Sequence, residues 1–134
     1  MNPYLSNIRT VRDQRGNLSI VSGSQDVPFP IERIFYIWNN SDNHPRGGHA
    51  HKECWQAMIA VHGTCIVCIN DGVESHEFDL NLPDSCVIVP PGHWADLINF
   101  SKDCVLLVLA SHEYNEIDYI RNYEEYLRYV QQKI

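Results

Sequence analysis

The chain has 134 residues, 44% of them hydrophobic, and a formal charge of -7 at pH 7. That length suits one domain with a real core and is short for two, and the acidic balance offers no basic footprint for a nucleic-acid backbone. It leaves room for a small anionic ligand held by a few local arginines and lysines, and the absence of any apolar run near the roughly 18 residues of a membrane span argues against an integral membrane protein.

The first residues, Met1-Asn2-Pro3-Tyr4, lack the basic start and apolar stretch of a secretory signal. A cytoplasmic location is therefore expected. Cys54, Cys65, Cys68, Cys86 and Cys104 make an odd count in mostly apolar, strand-like surroundings, which favours reduced thiols. Cys65 and Cys68 are three apart on an expected strand and so face opposite sides, which makes them buried structural thiols rather than a zinc or redox pair.

From Ile8 to Ala110 the chain alternates short runs rich in Ile, Val, Leu, Phe and Tyr with Gly, Pro, Asn and Asp, the pattern of an all-β sandwich or barrel. Strands are expected at 7–12, 17–22, 31–38, 47–52, 55–62, 64–70, 73–79, 86–89, 94–99 and 104–110. Turns fall at Asp13–Asn17, His62-Gly63 and Asn70-Asp71-Gly72, where glycine supplies the positive φ that tight hairpins need. After Ser111 the period changes: Ile117, Ile120, Leu127 and Val130 line one side of a pattern whose other faces carry charge, predicting an amphipathic helix over 116–131.

Arg46-Gly47-Gly48-His49-Ala50-His51-Lys52 concentrates the chemistry. His49 and His51 are two apart on an expected strand, so both imidazoles point the same way while Ala50 faces the opposite side. An unperturbed imidazole titrates near pH 6.5 and can take or give a proton at neutrality. Tyr36, on the strand face shared with Ile34 and Trp38, is a possible donor to a developing oxyanion. Arg46 and Lys52 flank the histidines as possible holders of an anionic or hydroxyl-rich substrate.

Gln56 follows His51 by five residues and Gly63 follows by seven more, a spacing that resembles the first cupin motif with Gln in place of the usual metal-binding Glu. Pro90-Pro91-Gly92-His93-Trp94-Ala95 with Asn99 resembles the second motif, with Ala95 where the last metal histidine stands. Two of four ligands are replaced, so the paired imidazoles read as an acid/base pocket, and no metal is expected. His93 lies within the second motif and is a candidate for ligand contact.

Arg15-Gly16-Asn17-Leu18, Pro28-Phe29, Arg33–Ile37, the RGGHAHK segment and Cys104–Ser111 together resemble the WxcM-like nucleotide-sugar 3,4-ketoisomerases along nearly the whole chain. The resemblance implies an all-β cupin jelly-roll barrel with a C-terminal α-helix, a homodimer, and no metal or organic cofactor. It implies conversion of dTDP-4-keto-6-deoxyglucose to a dTDP-3-keto-6-deoxyhexose, in a pathway to 3-amino-3,6-dideoxy sugars of surface glycans such as lipopolysaccharide O-antigen, or of antibiotics. By the same likeness His51 is the base at carbon 3, His49 the proton relay, Tyr36 a hydrogen-bonding group, and Arg46 a holder of diphosphate or hydroxyls. Gln56 and Lys52 join the substrate-binding set, and Arg15 and His93, expected to line the barrel, are placed to set the configuration at carbon 4, with the galacto product favoured. A non-catalytic sugar-binding cupin and a 3,5-epimerase-like enzyme stay open as alternatives, and a metal-dependent enzyme fits less well for want of ligands.

Overall fold

The structure, a computed structural model, describes residues 1–40 and 44–133. Its strands are β1 (Tyr4–Asn7), β2 (Arg9–Asp13), β3 (Gly16–Ile20), β4 (Arg33–Trp38), β5 (Arg46–His51), β6 (Gln56–His62), β7 (Cys65–Asn70), β8 (Ser75–Leu80), β9 (Ser85–Val89), β10 (Trp94–Ile98), β11 (Val105–Ala110) and β12 (Tyr119–Ile120). One helix, α1 (Tyr123–Gln132), follows. Two five-stranded sheets run in the orders β1-β9-β6-β11-β4 and β12-β5-β10-β7-β8, with β2-β3 as a separate hairpin. This is the cupin jelly roll.

Between the sheets, Met58, Val87 and Leu106 of the first meet Val67, Leu80 and Leu97 of the second. The outer face of the first sheet is also covered, since Val27 and Phe29 pack against Ile59, Ile88 and Leu109. That double coverage explains why β6 and β9 read as continuous apolar runs rather than alternating ones. The outer face of the second sheet holds Ala50, Trp94 and Ile120 under Tyr126 of α1, so Ala50 faces the helix and its two neighbouring histidines face inward. Truncating a side chain such as Leu106, which is fully buried, costs about 2–5 kcal/mol in cores of this kind.

The ten expected strands are present with shifted ends, and two more were not foreseen: β1, and β12 in place of the first part of the expected helix. The segment 116–131 is not one helix. Glu116–Asp118 forms a 3₁₀ turn capped by Asn115, Tyr119–Ile120 pairs with His51 and Ala50, and α1 starts only after Asn122, whose side chain accepts the backbone N–H of Glu125. Ile117, assigned by periodicity to the apolar stripe, is 79% exposed. Sheet pairing overrides the helical period here, because β12 covers the edge of β5 that would otherwise be unpaired.

Candidate active site

The approach to the histidines depends on glycine. Gly47 has φ +84°, and a Cβ there would sit 2.7 Å from the carbonyl oxygen of Ala95. The close approach accompanies a register shift between Ala95 and Asp96 in the β5–β10 pairing, with Ala95 directly opposite His49. Ala95 therefore adds only a methyl across from the imidazole, and His49, Gln56, Met58, Ala95, Leu97 and Tyr119 are among the walls of a cavity of about 290 Å³.

His51 lies beside His49, their ring centroids 5.1 Å apart and edge to face. Its Nδ1–H donates to the Asp118 carboxylate at 2.8 Å. The other carboxylate oxygen accepts the backbone N–H of Glu53 at 2.6 Å, so Asp118 is held from two sides. Tyr119, the next residue, packs on both imidazoles, with centroids 5.0 Å from His49 and 4.3 Å from His51. Arg33 reaches the Tyr119 hydroxyl at 3.5 Å, and the Arg121 guanidinium lies 4.2 Å from the Tyr119 ring centre. Glu116 holds Arg121 by a 2.7 Å ion pair and accepts a short hydrogen bond from Tyr114.

Burial pushes the His49 pKa down to about 4, helped by the charges of His51, Arg121 and Arg33. His51 is also lowered, first by burial, although the Asp118 hydrogen bond and charge oppose the shift. Burial acts to raise Asp118, yet hydrogen bonds from His51 and from the backbone N–H of Glu53 and Cys54 outweigh it, leaving the carboxyl below its ordinary range. At neutral pH the group is thus a carboxylate beside two uncharged imidazoles. Among the described residues, Nδ1 of His49 and Nε2 of His51 are buried with no hydrogen-bond partner, although the Gly47 backbone lies close enough to His49 to oppose the fall in its pKa. An unsatisfied buried polar atom costs about 1–3 kcal/mol, so the fold holds this pair of imidazoles at some expense of stability.

The structure brings some expected residues together and separates others. His49, Gln56 and Arg46 border the cavity, with Arg46 also donating to Asn40 at 2.9 Å. Tyr36 contributes to the cavity rim, but its side chain is 60% exposed on the outward face of β4 while Phe35 and Ile37 turn inward. The tyrosine packed on the imidazoles is Tyr119. Lys52 lies instead in a second cavity beyond Asp118. His93 is buried but spends Nδ1 on the carbonyl oxygens of Pro90 and Pro91, both at 3.1 Å. Arg15, expected to line the barrel, sits exposed at the β2–β3 turn in an ion pair with Asp13.

Sequence reasoning missed Asp118, Tyr119 and Arg121 because they lie in the stretch taken as helix. The signal that could have located them is Asn122 three residues before Glu125, a helix-start pattern that ends the preceding segment. Around the cupin metal positions the cavity offers an amide from Gln56 and a methyl from Ala95, poor partners for a transition metal.

A jelly roll that sets one imidazole in a cavity wall and hydrogen-bonds a second to a half-buried carboxylate is a small cupin. The family described as FdtA: WxcM-like, C-terminal matches residues 1–131, and the chain belongs to that family. It is 38% identical over 124 residues, 92% of this chain and 89% of the relative, to a TDP-4-oxo-6-deoxy-alpha-D-glucose-3,4-oxoisomerase of Aneurinibacillus thermoaerophilus. Among solved structures, a 3,4-ketoisomerase from Helicobacter canadensis is 40% identical with TM-score 0.94, covering 98% of each chain. A mutant of the 3,4-ketoisomerase QdtA from Thermoanaerobacterium thermosaccharolyticum, in complex with TDP-4-keto-6-deoxyglucose, is 33% identical with TM-score 0.95, over 99% of this chain and 96% of that one.

Proposed function

We propose that the chain is a sugar nucleotide 3,4-ketoisomerase that converts dTDP-4-keto-6-deoxyglucose to a dTDP-3-keto-6-deoxyhexose with no metal or organic cofactor. The observation that carries this reading is the His49 imidazole among the walls of a cavity, backed by His51 tied to Asp118. The names of the relatives supply the substrate class.

The reaction is internally balanced. A base removes the proton on carbon 3, the electrons form an enediolate with the carbon 4 oxygen, the hydroxyl proton of the carbon 3 oxygen passes to the carbon 4 oxygen, and a proton returned to carbon 4 leaves the carbonyl at carbon 3. No oxidant is consumed. The sequence reading gave the base to His51; His49 is the imidazole among the residues that line the cavity, so we assign removal at carbon 3 to His49. Its lowered pKa keeps it uncharged at neutral pH, with a lone pair open to a proton, while making it a weaker base than a free imidazole.

Because the carboxylate of Asp118 accepts the Nδ1–H of His51, the lone pair of a neutral His51 is at Nε2. His51 can then take a proton on from His49, with Asp118 stabilising the imidazolium. The Tyr119 hydroxyl accepts from Arg33 and so can direct its own proton to an enediolate oxygen, while Arg33 and Arg121 place positive charge beside a developing anion. Arg46 at the cavity edge, a planar fork suited to phosphate, is the reading for the diphosphate. On overall likeness we keep the galacto configuration at carbon 4.

We also infer a homodimer. β4 is the edge of its sheet, and Ile34, Tyr36 and Trp38 are each at least 60% exposed along it, an apolar stripe that a second copy would cover. Nuclear magnetic resonance of the product formed from dTDP-4-keto-6-deoxyglucose tests the assignment of function.

A further inference from the structure

We propose that His51, Cys54 and Asp118 form a site for a thiophilic divalent cation of the zinc type, and that its occupation turns the proton-transfer pocket off. The donor atoms of the three residues all lie within 4.8 Å of one another. His51 is 5% exposed and Cys54 2%, so the donors meet in a shielded place. Imidazole nitrogen, thiolate sulfur and carboxylate oxygen are the set that zinc prefers, and three protein ligands leave a fourth position for water.

The fold holds these groups by local hydrogen bonds. Lys52 donates its backbone N–H to the Asp118 carbonyl at 2.9 Å, and Glu53 donates to one carboxylate oxygen. The second oxygen is left on His51. The Cys54 thiol donates to the carbonyl of Trp55 at 3.3 Å, and the Ser111 hydroxyl donates to its sulfur at 3.8 Å. A second cavity, of about 800 Å³, ends on Asp118 and shares no residue with the cavity beside His49. Glu32, Glu53 and Glu113 line it together with Asp118, against a single Lys52. Such a wall draws cations, and a metal reaching Asp118 from this side would not compete with a sugar in the other cavity.

On binding, the cation replaces the thiol proton of Cys54, which goes to solvent, and takes the lone pair of His51 Nδ1 as the ring proton moves to Nε2. The His51 nitrogen left over is then a donor and cannot accept a proton from His49. Binding itself is independent of the proposed reaction, whereas the inhibition rests on that reading.

The test is titration of the whole chain with Cd²⁺, followed by ultraviolet thiolate-to-metal absorption, beside Zn²⁺ inhibition of ketoisomerisation. We expect one Cd²⁺–thiolate chromophore per chain, lost in both Cys54→Ser and Cys54→Ala. Zn²⁺ should lower turnover of the intact protein at least about tenfold, with recovery on adding chelator, and Cys54→Ser should raise the half-inhibiting Zn²⁺ concentration at least about tenfold while keeping metal-free turnover. No chromophore in the intact protein, or one that survives in the Cys54 variants, overturns the site. A chromophore that forms while turnover stays unchanged overturns the switch. A protein that binds Cd²⁺ through Cys54 but never isomerises the sugar would sustain the site and count against the proposed function instead.

Discussion

Asp118 accepts the Nδ1–H of His51 at 2.8 Å although the two residues are 67 positions apart. The pairing is made by β12 joining β5, with Tyr119 opposite His51. It fixes the tautomer of one imidazole and leaves a charge to stabilise its protonated form, a role that shape alone cannot fill.

Asp118→Asn preserves shape and removes that charge. The amide also presents a donor as readily as an acceptor, so the His51 tautomer is no longer set. We expect turnover to fall by about 10²-fold or more, within the range of a positioned acid/base group, with the Michaelis constant changed little. Steady-state kinetics reads both. A turnover within twofold of the intact protein would remove Asp118 from the account.

The His49 pKa of about 4 has a consequence for stability. Unfolded, this histidine titrates near 6.5. Between those values the unfolded chain binds a proton that the folded chain does not, so unfolding becomes more favourable as pH falls. The His49 contribution is whole above about pH 6.5 and is lost progressively towards pH 4. Urea unfolding of the intact protein and His49→Asn between pH 7.5 and 4.5 should therefore show a stability difference that moves against the intact protein on acidification. A difference constant with pH would mean that His49 is not buried as described.

Tyr119→Phe keeps the ring on both imidazoles and deletes the hydroxyl that receives Arg33. Loss of one donor to an oxyanion typically costs 10²- to 10³-fold, and we expect about 10²-fold here because Arg33 and Arg121 remain. The folded stability should change by less than about 1.5 kcal/mol, the worth of a typical hydrogen bond. Kinetics with thermal unfolding separates the two effects.

What was legible in the sequence follows from periodicity. His49 and His51 share a face because a strand repeats every two residues, and Ala50 turned to the other side as expected. Gln56 and Arg46 reached the cavity because they are close to that strand in sequence. Tyr36 lay on the predicted face with Ile34 and Trp38, but alternation cannot say which of two faces looks inward, and on β4 it is the other one. Asp118 and Tyr119 were hidden because a two-residue strand between a 3₁₀ turn and a helix keeps almost a helical spacing of apolar residues. Arg15 does not line the barrel of its own chain because the β2–β3 hairpin lies outside both sheets and has no inward face of its own.

The exposed stripe of Ile34, Tyr36 and Trp38 gives a prediction about assembly. Light scattering at micromolar concentration should give about twice the 15.5 kDa of the chain, and Ile34→Lys with Trp38→Lys should shift the protein to monomer by placing charge in the contact. A mass of one chain for the unaltered protein would contradict the dimer and leave the chemistry of the pocket untouched.

The most direct test of the central claim is the reaction run on dTDP-4-keto-6-deoxyglucose in deuterated water, with the product followed by nuclear magnetic resonance. The account predicts a carbonyl at carbon 3 and deuterium at carbon 4, a small coupling between H4 and H5 in undeuterated solvent as the mark of the galacto product, and loss of conversion in His49→Asn. Unchanged sugar, label introduced at carbon 5, or normal conversion by His49→Asn would contradict it.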